Sequence, residues 1–98
     1  MGAKKLSVDE VQQELEGLPG WRIEEGKLVR EFKFSDFIEA FAFMTELAIV
    51  SEKLNHHPEW FNVYNKLKVE LRTHDVDGLS DKDLEWALQC NQRFNQTL

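Results

Sequence analysis

The chain has little that could cross-link it, divide it or carry it into a bilayer. Its one cysteine, Cys90, rules out an internal disulfide and suits a reducing compartment. Two prolines and five glycines in 98 residues leave no linker or low-complexity tract to separate two domains, so residues 1–98 read as one domain. The longest apolar stretch, residues 37–50, is interrupted by Glu39, Thr45 and Glu46 and is too short to span a membrane. No basic start running into an apolar segment opens the sequence, so no secretory signal is expected. Positive charge is also scarce. Twelve Lys and Arg against 18 Asp and Glu give a net charge of −6, the wrong sign for a phosphate backbone. A membrane and a nucleic acid are therefore set aside as direct partners. The cytoplasm is the expected compartment, with the nucleus open to it in a eukaryotic host.

Apolar residues, in contrast, make up 42% of the chain and include three Trp and seven Phe, enough for a compact core. The order of elements follows from their stop and start signals. Ser7 and Glu10 form a capping box for a first helix, with Val8, Val11 and Leu15 on one face. Alternation over residues 21–34, broken at Glu25-Gly26, predicts a hairpin. Ser35 or Asp36 caps a long central helix that should end near Asn55, before Pro58. That helix has too few polar residues for one wet side, which points to cover from a second subunit. A short strand at 60–64 and a cleanly alternating one at 66–73 follow, with Leu67, Val69, Leu71 and Thr73 on one face. Ser80 then caps a last helix, with Asp83 reaching back to the Ser80 N–H. The order α-β-β-α-β-β-α predicts an α+β domain: a four-stranded antiparallel sheet with three helices packed on one face.

The three histidines, His56, His57 and His74, hold the chemistry that titrates near neutral pH. Glu52, four residues before His56, would share a helix face with it and hydrogen bond to it. His74 stands where the best strand ends, so one loop edge could bring it to the pair. The plainer reading makes all three surface polar residues at element ends. Three histidines and a glutamate are also the ligand types of a catalytic zinc. Neighbouring histidines on an extended chain point to opposite sides, however, and the helical two-histidine spacing is missing, so no metal is expected. Cys90, inside the last helix, reads as a small buried hydrophobe.

Glu52, three residues, His56-His57-Pro58, five residues, Tyr64, nine residues, His74, eight residues and Asp83 together resemble the signature of the pterin-4a-carbinolamine dehydratases. Leu18-Pro19-Gly20-Trp21, the Phe-Ala-Phe-Met-Thr run at 41–45 and Gly78-Leu79-Ser80 are similar too. The likeness implies dehydration of a 4a-hydroxytetrahydropterin to the quinonoid dihydropterin by histidine acid–base catalysis, with no cofactor. It implies His56 and His74 as acid and base in either order, His57 holding the pterin, and Glu52 orienting His56 or fixing its charge. Pro58, Thr73, Asp75 and Val76 would join the histidines in contacting substrate; Val76 replaces the cysteine of vertebrate members. The family further implies a homotetramer built from dimers, and a second role as a dimerisation cofactor that binds a transcription factor's helix.

Overall fold

The computed structural model of the chain describes residues 2–97. Each element starts where a side chain can serve the free N–H groups of a helix end, or where a turn reverses the chain. Helix α1 (Val8–Glu14) opens on a complete capping box: Glu10 N–H donates to Ser7 Oγ at 3.1 Å, and Ser7 N–H donates to the Glu10 carboxylate at 2.9 Å. Val11 is buried from this helix, whereas Val8 at its first position is exposed, and a single 3₁₀ turn at Leu15–Gly17 ends it.

Strands β1 (Arg22–Glu24) and β2 (Lys27–Lys33) form the expected hairpin. Glu25 and Gly26 both sit at positive φ, 50° and 77°, the geometry of a tight two-residue hairpin turn. Helix α2 (Phe37–Leu54) is capped by Asp36, which accepts from Glu39 N–H at 2.8 Å. Strand β3 (Glu59–Val63) turns through Tyr64, at φ 52°, into β4 (Lys66–Leu71). The last strand stops at Leu71, two residues short of the alternating pattern. Thr73 instead bridges to Gly78, closing a loop that holds a 3₁₀ turn at His74–Val76. Helix α3 (Asp81–Thr97) completes the order.

The sheet is antiparallel throughout, in the order β1-β2-β4-β3. Leu28 and Phe32 of β2 and Leu67, Val69 and Leu71 of β4 join one buried cluster with Val11, with Phe43 and Leu47 of α2, and with Trp86 and Cys90 of α3. The architecture is thus the α+β sheet with helices on one face that the residue patterns predict. The opposite sheet face carries ion pairs, Lys27 bridging Glu59 and Glu70 and Arg22 bridging Glu24 and Glu31, beside the exposed Phe61 and Val63.

The helix face away from the core is apolar. Ile38, Phe41 and Ile49 are spaced along one stripe of α2 and are 76%, 54% and 55% exposed.

Candidate active site

Two helix ends meet at one corner of the core. Helix α2 ends in a Schellman motif: Asn55 adopts the left-handed conformation, its N–H donates to Glu52 O at 3.3 Å, and His56 N–H donates to Ser51 O at 3.0 Å. This reversal decides where the two adjacent histidines go. His56 turns inward and is 8% exposed, while His57 stays outside and meets Glu52 Oε2 at 2.5 Å. Glu52 therefore serves His57 and not His56, as helical spacing had suggested, because the helix does not continue to residue 56.

The partner of His56 comes from 27 residues away. Its Nε2 faces Asp83 Oδ1 at 2.6 Å, and Asp83 is 1% exposed in the first turn of α3. A helix N-terminus favours a carboxylate there. The other oxygen, Oδ2, accepts from Thr73 Oγ1 at 2.8 Å and from Ser80 N–H at 2.9 Å. With its proton committed to Asp83, the Thr73 hydroxyl accepts from Ser80 Oγ at 2.6 Å, and Ser80 Oγ in turn accepts from Lys82 N–H at 3.1 Å. The result is a directional chain of donors ending on one carboxylate.

An imidazole nitrogen that faces a carboxylate serves it as the donor, which puts the ring proton on Nε2. Among the described residues His56 makes no other side-chain hydrogen bond, and no buried side-chain nitrogen or oxygen lacks a partner. Nδ1 therefore meets solvent and is the atom able to exchange a proton with a bound molecule. His74 is exposed and follows Thr73 directly, so it stands one residue from the Asp83 network. Asp75 and Val76 lie in the same 3₁₀ turn, while Pro58 is half-buried beyond His57.

Sequence spacing thus finds the corner but assigns Asp83 only a capping bond. That bond is present, and the same carboxylate also holds His56 and Thr73. Its place in the quoted signature was the available sign of a further role. Among the described residues, no three of His, Cys, Asp and Glu gather as metal ligands. A hollow of about 480 Å³ lies elsewhere, on the outer sheet face, lined by Phe61, Val63, Lys66 and Lys68 among others; it holds no histidine, so its size does not mark the chemistry.

Known proteins resemble the chain over most of its length. The family model described as pterin 4 alpha carbinolamine dehydratase matches residues 4–93. A Solibacter usitatus protein assigned as a pterin-4-alpha-carbinolamine dehydratase is 53% identical over 87 residues, covering 89% of this chain and 92% of its own. A Rhizobium etli protein with the same assignment is 52% identical over 89 residues, covering 89% and 88%. Among solved structures, the Brucella melitensis transcriptional coactivator/pterin dehydratase superposes with a TM-score of 0.87 at 41% identity, over 91% of this chain and 97% of that one. The chain belongs to the pterin-4-alpha-carbinolamine dehydratase family, a family of hydro-lyases.

Proposed function

We propose that this chain removes water from a 4a-hydroxytetrahydropterin, giving the quinonoid dihydropterin and so returning the spent cofactor of aromatic amino acid hydroxylases. The observation that carries this reading is the Asp83–His56 pair, a buried carboxylate fixing one imidazole nitrogen while the other faces outward. Hydroxide is a poor leaving group, so a proton must reach the 4a oxygen as its C–O bond breaks. A second group must take the proton from the adjacent ring nitrogen, whose lone pair expels the hydroxyl. Imidazole, with an unperturbed pKa of about 6.5, can give or accept a proton near neutrality, and such transfers contribute roughly a hundred- to ten-thousand-fold in rate.

His56 and His74 take these two roles, and His57 holds the pterin with Glu52 setting its ring. Pro58, Thr73, Asp75 and Val76 complete the contacts with substrate. No cofactor takes part. The working form is a homotetramer, a dimer of dimers, whose assembly covers the apolar stripe of α2.

The test follows decay of synthetic 4a-hydroxytetrahydropterin. Purified protein should accelerate it, and His56→Ala with His74→Ala should bring the rate back to the uncatalysed one. Turnover that survives the double replacement overturns the assignment.

A second reading is favoured by the same exposed stripe, since the Brucella structure carries the name transcriptional coactivator as well. In it, a transcription factor's helix seats on α2 without use of the histidines. The double variant separates the two roles: dehydration is lost and capture of the helix is kept.

A further inference from the structure

The segment at residues 4–6 is not part of the acid–base machinery, yet it runs beside the backbone that builds it. Lys5 pairs with Ser80 as an isolated antiparallel bridge. On one side of that pair, Leu6 N–H donates to Leu79 O at 2.9 Å. On the other, Asp81 N–H donates to Lys4 O at 3.1 Å, and Lys4 N–H donates to the Asp81 carboxylate at 2.9 Å. The Lys5 side chain also packs over Gly78, where an added Cβ would lie 3.3 Å from its Cε.

These bonds matter because of what they enclose. Ser80 gives its N–H to Asp83 Oδ2 and its hydroxyl to Thr73. Its position therefore sets two of the groups that fix the carboxylate on His56. From within, the loop is closed by Thr73 N–H donating to Gly78 O at 2.8 Å. From outside, the 4–6 segment is what holds residues 79–81. It also accepts the Asp81 N–H, one of the free donors that a helix start leaves unpaired.

We infer that residues 4–6 are a strap that positions the Asp83–His56 pair, by clamping the Leu79-Ser80-Asp81 backbone from outside. The strap touches no substrate, so its residues are positioning residues. Its consequence for turnover rests on the dehydratase reading; its consequence for the geometry of His56 does not.

Two pairs of variants test it, each read by kcat and KM in the dehydration assay and by the ¹⁵N resonances of the His56 ring across pH. Leu6→Pro removes the donor to Leu79 O, and Leu6→Ala keeps it while removing the same side chain. Asp81→Ala removes the acceptor for Lys4 N–H at an exposed site, and Asp81→Asn restores an acceptor without the charge. A displacement near 1 Å at a catalytic group costs up to about a hundredfold. Leu6→Pro and Asp81→Ala should therefore lower kcat by roughly 10- to 100-fold at near-constant KM. They should also mix the single His56 tautomer, while Leu6→Ala and Asp81→Asn stay close to the parent. Unchanged His56 resonances in both Leu6→Pro and Asp81→Ala overturn the strap, as does an Asp81→Asn variant as impaired as Asp81→Ala. If Leu6→Pro fails to fold, the exposed Asp81 pair decides alone. A parent protein inactive on the pterin defeats the dehydratase reading and leaves the resonances to decide the strap.

Discussion

Asp83 accepts from an imidazole, a hydroxyl and a backbone N–H; without it His56 Nε2 and the Ser80 N–H would be left unpaired, while the Thr73 hydroxyl would keep Ser80 Oγ. Leaving a buried donor without its acceptor typically costs about 1–3 kcal/mol per group. Asp83→Ala should accordingly lower the unfolding free energy by about 3 kcal/mol, measured by urea titration. Asp83→Asn is the sharper probe. Its amide has one acceptor and one donor group, so its N–H₂ would face either Nε2 of His56 or the Thr73 hydroxyl. Facing His56, it would move the ring proton to Nδ1. This variant should stay folded yet lose at least about a hundredfold in kcat. This is also where sequence reasoning went furthest astray. The i, i+4 rule led from Glu52 to His56, and only the left-handed turn at Asn55 separates them. Asparagine tolerates that conformation without requiring it, so the turn has no unambiguous sign in the residues.

At the scale of elements, more could be read in advance. The Ser7–Glu10 box, the Glu25-Gly26 turn and the alternation of Leu67, Val69 and Leu71 each rest on neighbours in sequence, and each formed. The exceptions lie where distant segments compete. Residues 72 and 73 continue the strand pattern, but Thr73 bonds instead across its loop to Gly78, and Arg72 pairs with Asp77. Other distant pairings bear on pH. Glu70 of β4 lies below the usual carboxylate range, chiefly through its hydrogen bond from Lys27 at the start of β2, and Lys27 is raised in turn, chiefly by Glu70. The signs are opposite and complementary. The Glu70 contribution is present above the ordinary carboxylate pKa and lost as pH falls through the lowered one. The Lys27 contribution is present below the ordinary lysine pKa and lost as pH rises through the raised one. Glu70→Gln should therefore be less stable than the parent at neutral pH, with the difference in urea midpoint closing below about pH 4.

For the molecule as a whole, the two outer surfaces differ in kind. The sheet's free face sets ion pairs beside the exposed Phe61 and Val63, while α2 presents Ile38, Phe41 and Ile49 to solvent in the single chain. If assembly covers that stripe, Phe41→Glu should convert the tetramer to smaller species by sedimentation velocity, and Phe61→Glu on the opposite face should do so less. The excess of apolar residues in α2 is legible in the sequence. Which face stayed dry was not, because it depends on how α2 lies against β4 and α3.

Cys90 sits at full depth between α3 and the sheet, and burial pushes its thiol well above the ordinary range. A disulfide-exchange reagent can reach it only when α3 lifts away. Since no other sulfhydryl competes, the rate of labelling becomes an internal clock for that excursion. Its dependence on reagent concentration would separate the frequency of lifting from its equilibrium, with no probe added to the chain.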